Sequence, residues 1–171
     1  MKNLEKQERA KKLLKQMSDV FYDVVPETYK TYCVLVSSIA KFALQANGLD
    51  AKLTVCQLWY TNAEINYAIG FTGVDKPGKW DGHVICTSRG YFIDASTSQL
   101  KAKDGQVPEV VFGPLMPKFS TVLARYSIDR ERSVWWHPVS KLRSMEAIPK
   151  EPTELISSYG NLLADRIKSE I

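Results

Sequence analysis

The sequence predicts an α+β fold in which a central helix packs on an antiparallel β-sheet and is flanked by an N-terminal and a C-terminal helix. Helical spacing of apolar residues dominates residues 3–47, short β-forming runs follow over residues 53–139, and helical spacing returns after Pro152. A content of 44% hydrophobic and 25% charged residues is typical of a globular protein. Because no repeat or clear linker interrupts the chain, we predict a single domain over residues 1–171.

An amphipathic first helix is predicted over residues 3–24. Apolar residues recur there at intervals of mostly three and four positions, with lysine and glutamate between them: Leu4, Leu13, Leu14, Met17, Val20, Phe21 and Val24. Pro26 disfavours helical angles in the residue before it, so we expect the helix to end before that proline.

A second helix is predicted over residues 31–47. It is apolar on nearly every side, which places it in the middle of the fold. Thr31 is the expected N-cap, and this would put Cys33 at the second helical position. Gly48 is the expected left-handed residue that ends the helix.

The middle of the chain contains six β-forming runs separated by turn residues. They read LTVCQLWYT, INYAIGFTG, GHVICTS, YFIDAS, EVVFG and SVWWHPV. Short neighbouring runs of this kind indicate an antiparallel sheet, and the loop at residues 73–82 leads the chain into His83. A last helix is predicted over residues 153–171, although Gly160 is unusual inside a helix.

Charge and composition argue against several classes of function. The net charge is +4 and the 23 basic residues are interleaved with 19 acidic ones, so nucleic-acid binding is not expected. The charged start of the chain and the absence of an 18-residue apolar run predict no membrane partner and a cytoplasmic location. With three separated cysteines and two histidines, no cluster has ligand spacing, and we expect neither a metal site nor a cofactor.

The run DGHVICTSRGYFIDAS predicts a hairpin that brings a histidine to an aspartate. A two-residue loop at Arg89 and Gly90 would make His83 and Asp94 diagonal neighbours on one face of the two strands. An aspartate in this position orients the imidazole and stabilises its charged form. Taken by itself, a cross-strand pair of this kind is more often solvated or structural than catalytic, and Asp81 is a competing partner for the imidazole.

Cys33 is the candidate nucleophile, because the unpaired N–H groups at a helix N-terminus favour a thiolate. The same N–H groups could hold an oxyanion. On position alone, a buried structural thiol is an equally weighted alternative. Cys56 and Cys86 lie in β-forming runs and are expected to be buried apolar side chains, and His137 is expected to be packed rather than catalytic.

Two segments of the sequence resemble a known superfamily. In AKFALQANGLDAKLTVCQLW, the end of the helix that carries Cys33 passes through a short glycine turn into the first core strand. In GHVICTSRGYFIDAS, a histidine opens a strand, and a glycine, an aromatic residue, an aspartate, a small residue and a serine follow in order. Over about residues 31–96 the chain is similar to the transglutaminase-like and papain-like cysteine enzymes. The resemblance implies that Cys33 is the nucleophile, His83 the general base and Asp94 its orienting residue.

The function expected from these residues is that of a cysteine-dependent amide hydrolase or acyl transferase that acts through a thioester. Peptidase, deamidase and transglutaminase-type reactions share this chemistry, and the expected substrate is a peptide or protein amide. The alternative is a catalytically inactive module of the same fold that binds a protein. A nucleic-acid accessory protein is a third and weaker alternative, which steep salt dependence of binding would reveal. The sequence leaves the oligomeric state open.

Overall fold

A computed structural model describes residues 2–71, 80–139 and 148–169 of the chain. Three helices lie in this part of the chain: α1 (Lys2–Val24), α2 (Cys33–Ala46) and α3 (Thr153–Ser169). Seven strands accompany them: β1 (Lys52–Thr61), β2 (Asn66–Ile69), β3 (His83–Ser88), β4 (Tyr91–Asp94), β5 (Val111–Pro114), β6 (Ala124–Ser127) and β7 (Ser133–Pro138). Short 3-10 turns cover Glu27–Tyr29 and Thr97–Leu100. The predicted α+β fold is confirmed, while most of the predicted loop at residues 73–82 lies outside the described residues.

Helix α1 buries its apolar stripe against α3 and against the β4 and β5 side of the sheet. The buried positions are spaced as the sequence predicts: Ala10, Leu13, Leu14, Met17, Val20 and Phe21. The helix ends at Val24, before Pro26, as predicted. Within residues 2–71, 80–139 and 148–169, no helix combines the length and the apolar character needed to cross a bilayer.

Helix α2 lies between α3 and β3 and carries Cys33 at its first helical position. The prediction of Thr31 as N-cap, with Cys33 second in the helix, was wrong because the backbone closes a separate turn first. The N–H of Tyr32 donates to the carbonyl of Tyr29 at 2.9 Å, so Tyr32 becomes the N-cap. At the other end Gly48 has φ +78°, which confirms the predicted left-handed termination.

The strands form one curved antiparallel sheet in the order β5-β4-β3-β1-β7-β6. Strand β1 is central: β7 pairs along one side, while β3 and β2 share the other side, one after the other. Met116 lies just after β5 and Leu123 just before β6, so each is next to an edge strand of the sheet. The N–H of Met116 donates to the carbonyl of Leu123 at 2.8 Å. This bond brings the outer strands β5 and β6 together, so the sheet nearly closes into a barrel. Strand β6 was not among the predicted runs.

The β3–β4 hairpin has the predicted register. Ser88 pairs with Tyr91 and Cys86 pairs with Ile93 across a two-residue loop. Both loop residues have positive φ, +50° at Arg89 and +87° at Gly90, as a type I′ turn requires. This register places His83 and Asp94 on the same face of the sheet.

The two faces of the sheet contribute to two hydrophobic cores. The helix-side core joins the three helices to Cys86 and Ile93 of the sheet. The inner core fills the curved sheet with residues of the opposite face, among them Cys56, Ile85, Phe92 and Trp136. Because side chains alternate along a strand, His83 and Asp94 lie on the inner face.

Candidate active site

Asp94 ends β4, and its fully buried carboxylate receives four hydrogen bonds. Oδ2 accepts from Nε2 of His83 at 2.7 Å and from the indole N–H of Trp136 at 2.8 Å. Oδ1 accepts from the backbone N–H and the hydroxyl of Ser96, at 2.8 and 2.9 Å. Burial raises the pKa of Asp94, but His83 and the remaining donors outweigh burial and lower this pKa below its ordinary value. The carboxylate is therefore held in its ionised form.

His83 is the first residue of β3, and it is fully buried. Its Nε2 bonds to Asp94, which settles the choice between Asp94 and Asp81 as its partner. Nδ1 is the remaining ring nitrogen, and it has no hydrogen bond of normal geometry among the described residues. Burial lowers the pKa of His83, but Asp94 and then the thiol of Cys33 outweigh burial and raise this pKa to about 10. The imidazole therefore favours its charged form between a carboxylate and a thiol.

Cys33 opens α2 beside the start of β3. Its Sγ lies 3.9 Å from the carbonyl oxygen of Gly82, the residue before His83, and the side chain is partly exposed. Tyr32 provides no side-chain cap, and the N–H of Val36 makes the first intrahelical bond, to the carbonyl of Tyr32. The N–H groups of the first turn, including that of Cys33 itself, are therefore left without acceptors in the helix, next to the thiol.

The segment that precedes Cys33 is tied to the turn that follows Asp94. The hydroxyl of Ser98 donates to the carbonyl of Lys30 at 3.0 Å. The side-chain amide of Gln99 donates to the carbonyl of Thr31 at 3.2 Å. One short stretch of chain thus holds both the carboxylate that orients His83 and the approach to the thiol.

Two glycines allow the wall of the site to lie close to His83. A Cβ on Gly70, which has φ +92°, would lie 2.9 Å from the backbone nitrogen of His83. A Cβ on Gly82 would lie 2.5 Å from the ring of Trp80 and 2.7 Å from the ring of Phe71. The two aromatic rings meet edge to face, with centroids 5.8 Å apart, and any larger residue at position 82 would displace them.

Cys33 lies on a cleft of about 320 Å³ between the N-terminus of α2 and the start of β3. The described residues that line it are Thr31, Tyr32, Cys33, Val34, Ile69, Gly70, Trp80, Asp81, Gly82, Gln99 and Glu151. Two of them, Asp81 and Glu151, carry carboxylates, and none of those described carries a lysine or arginine charge. The cleft therefore offers access to the thiol in an environment of negative charge.

The other cysteines are buried, as predicted. Cys56 pairs with His83 across β1 and β3; burial raises its pKa well above the ordinary value, and the negative charges of Asp94 and Cys33 add to this effect. Cys86 faces the helices, and burial raises its pKa to about 12 although Lys41 opposes the shift. Both are therefore neutral thiols at ordinary pH.

His137 lies outside this site, as the sequence predicts. It is on β7, with its ring 5.4 Å from that of Trp59, and burial lowers its pKa. Within the described ranges, histidine, cysteine and carboxylate side chains do not gather in a group able to hold a metal ion.

Sequence reasoning missed several residues of the site. Ser96 could have been found, because an aspartate that accepts from the N–H two residues later forms a common local turn. Trp136 could not have been found, because it is 42 positions from Asp94 in the sequence and reaches it only through the curvature of the sheet. Gln99 likewise meets the segment before Cys33 only through tertiary packing.

Comparisons with known proteins leave the family open. No protein-family model matches the chain, and no curated protein matches it. One solved crystal structure, described only as a genomics structure, is similar over 94% of this chain and 78% of its own, with 12% identity and a TM-score of 0.38. Function is therefore inferred from the residues of the site alone.

Proposed function

We propose that the protein is a cysteine-dependent amide hydrolase or acyl transferase, with Cys33 as nucleophile, His83 as general base and acid, and Asp94 as the group that orients His83. The observation that carries this proposal is the state of the imidazole. One nitrogen is fixed on a buried carboxylate, and the other is without a normal hydrogen bond and lies near a partly exposed thiol. This is the arrangement of nucleophile, base and orienter that covalent catalysis requires.

The proposed reaction starts from an ion pair, in which the thiol of Cys33 has already given its proton to Nδ1 of His83 and a thiolate lies beside the charged imidazole. The thiolate attacks the carbonyl carbon of an amide, a carbon–sulfur bond forms, and the C=O electron pair moves onto oxygen. When this pair returns, the carbon–nitrogen bond breaks and the leaving amine takes the proton from His83. Water or a second amine then attacks the thioester and regenerates the thiol. Peptide or protein amides are the proposed substrates.

The buried ion pair supports the role of Asp94. A charged imidazole next to a thiolate is stabilised by a carboxylate on its far side, and Asp94 is held ionised by His83, Trp136 and Ser96. Because Nε2 is bound to Asp94, Nδ1 is the nitrogen that exchanges the proton with the thiol. We place the protein in the cytoplasm, where reducing conditions keep such a thiol free.

Alkylation of the native protein by iodoacetamide at pH 6.5 tests the proposal directly. We expect Cys33 to react fastest of the three cysteines, because Cys56 and Cys86 are buried neutral thiols. His83→Ala should slow the alkylation of Cys33 by about 100-fold or more, the usual scale of a base's contribution. Peptide mass spectrometry of each cysteine against time supplies the rates.

His137→Ala is the matched control, since it removes the other histidine from a position outside the cleft. Its rate should equal that of the unmodified sequence. Equal slow labelling of all three cysteines, with no effect of His83→Ala, would contradict the proposal. That result would favour the non-enzymatic, protein-binding module.

A further inference from the structure

The cleft beside the thiol carries two carboxylates. Asp81 and Glu151 line it together with Cys33, and none of the described lining residues is a lysine or an arginine. The lysine that comes shortly before the thiol in the sequence, Lys30, forms an ion pair with Glu109 at 3.8 Å. Among the described residues, the charges that border the cleft are therefore negative.

Backbone bonds fix the chain next to both carboxylates. The N–H of Phe71 donates to the carbonyl of Asp81 at 2.7 Å, which holds the approach to β3. Glu151 precedes Pro152, whose carbonyl accepts from the N–H of Ile156 at 3.2 Å in the first turn of α3. The two negative charges thus come from separate segments of the chain and border the same space.

The helix N-termini oppose this negative charge but do not cancel it. Helix α2 begins at the cleft with Cys33, and α3 begins just after Glu151. Each N-terminus is equivalent to about half a positive charge, so two of them offset about one of the two carboxylates. The charged His83 does not change this balance because Asp94 neutralises it. Lys150 is exposed and does not line the cleft.

The acyl part of a substrate would remain in this cleft longest. In the proposed reaction the amine leaves when the thioester forms, while the acyl group stays bonded to Cys33 until water or a second amine attacks. A positive charge on the acyl group is therefore attracted by Asp81 and Glu151 in both steps. A positive charge on the leaving amine is attracted only in the first step, and the amine then departs against that attraction.

We propose that Asp81 and Glu151 select substrates whose acyl group carries a positive charge, such as the side chain of a lysine or arginine beside the scissile amide. This inference rests on the proposed function of Cys33. The fully buried His83, whose Nδ1 has no normal hydrogen bond among the described residues, identifies this end of the cleft as the reacting end. The two carboxylates act on binding and do not take part in bond breaking.

Reagents that differ only in charge measure the electrostatic potential at the thiol. An alkyl methanethiosulfonate reacts with a thiolate to form a new sulfur–sulfur bond, its own sulfur–sulfur bond breaks, and methanesulfinate leaves. The trimethylammonioethyl reagent is cationic, the sulfonatoethyl reagent is anionic and the methyl reagent is neutral. The ratio of the cationic to the anionic rate, divided by the same ratio for 2-mercaptoethanol, reports the charge around Cys33. The neutral rate reports the access and reactivity of the thiol.

The test compares the full-length protein with Asp81→Asn, Glu151→Gln and the double variant. At about 0.1 M salt we expect the normalised ratio to be about 10-fold or more in the unmodified protein and within about twofold of unity in the double variant. Each single variant should lie between them, and the neutral rate should stay the same in all four proteins. Raising the salt to about 1 M should lower the ratio of the unmodified protein, because the screening length falls to about 3 Å. The mass of the Cys33 peptide against time supplies the rates.

Two fluorogenic amides extend the test to substrates. The 7-amino-4-methylcoumarin amides of an arginine and of a glutamate residue have the same leaving amine and acyl groups of opposite charge. We expect kcat/KM to be about 10-fold or more higher for the arginine amide, and this preference should fall in the double variant by about the same factor as the thiosulfonate ratio. Equal cleavage of the two amides, or a preference for glutamate, would overturn the inference.

Glu64→Gln is the matched control, because it removes an exposed carboxylate from the turn between β1 and β2. Ile69, at the other end of β2, lines the cleft, and five residues of extended chain place Glu64 on the order of 15 Å from it, beyond the screening length of about 10 Å. The control should keep the ratio of the unmodified protein. A ratio near unity in the unmodified protein, or a raised ratio that survives both cleft substitutions, would overturn the inference. Failure of the proposed function is seen separately, as slow reaction of Cys33 with the neutral reagent.

Discussion

Along β3, alternate side chains enter two different environments. Cys86 belongs to the helix-side core, which is built almost wholly from apolar contacts, and Val84 lies on the same face of the strand by alternation. His83 and Ile85, which alternate with them, face the inside of the curved sheet. There His83 forms a fully buried charged pair with Asp94. Packing holds the first region together, while hydrogen bonds and charge hold the polar part of the second. The difference implies that the two regions respond differently to pH.

Removing the carboxylate from the inner face should have the largest effect. Asp94→Ala leaves a buried imidazole without its partner and is expected to lower the free energy of unfolding by about 3–5 kcal/mol at pH 6. This loss in the free energy of unfolding should depend on pH. The folded pKa of His83 is raised from 6.5 to about 10, so its stabilisation is complete below pH 6.5 and is lost as the pH rises through 10.

Urea denaturation of the unmodified chain and Asp94→Ala, repeated from pH 4 to pH 10, measures this dependence. The folded pKa of Asp94 is lowered from 3.8, so its contribution exists above pH 3.8 and falls in acid. The difference between the two proteins should therefore be largest between about pH 4 and pH 6.5. A difference that stays constant over the whole range would show that the pair is not charged in the folded protein.

The matching truncation on the helix side should cost slightly less and should not depend on pH. Ile39 is fully buried in the helix-side core, and Ile39→Ala removes three carbon atoms and leaves a cavity worth about 2–5 kcal/mol. The same urea series provides the measurement, with Gln45→Ala on the exposed side of α2 as the control. A pH-dependent loss in Ile39→Ala would mean that the two regions are coupled.

The contact between α2 and α3 tests how tightly the helix side is packed. Gly160 lies in the interior of α3, and a Cβ there would approach the ring of Phe42 to 2.4 Å. Gly160→Ala should therefore destabilise the protein by about 1–3 kcal/mol, although alanine is the better helix former. In a Phe42→Ala background the same substitution should become neutral or stabilising. Thermal denaturation of the four proteins in this cycle gives the coupling.

The sequence contained the information that is local. The hairpin register follows from the alternation of side chains and a two-residue loop, and these two features suffice to place His83 beside Asp94. The position of Cys33 in the first turn of α2 follows from helical periodicity. In each case the residues that decide the geometry lie within about a dozen positions of one another.

Information that depends on closure of the sheet was not available from the sequence. Strand β6 has only four residues and little periodicity, and it is defined by its pairing with β7. Trp136 reaches Asp94 because β7 pairs with β1 and carries Trp136 on the inner face of the curved sheet. The N-cap of α2 is Tyr32 and not the predicted Thr31, because a turn before the helix uses the N–H of Tyr32. The residue preferences at N-caps, on which the prediction was based, do not reveal such a turn.

The β3–β4 turn joins two strands that each contribute side chains to both regions. A substitution in this turn should have the smallest effect on stability. Gly90 has φ +87°, and a Cβ at this position would meet only the side chain of Gln7 at 3.8 Å, so the cost of Gly90→Ala is backbone strain alone, about 1 kcal/mol. Gly90→Asn should cost less, because asparagine tolerates the left-handed region. Urea midpoints should rank glycine above asparagine and asparagine above alanine at every pH. The reverse order would mean that the turn is not of type I′ and that the register which brings His83 to Asp94 is fixed by other contacts.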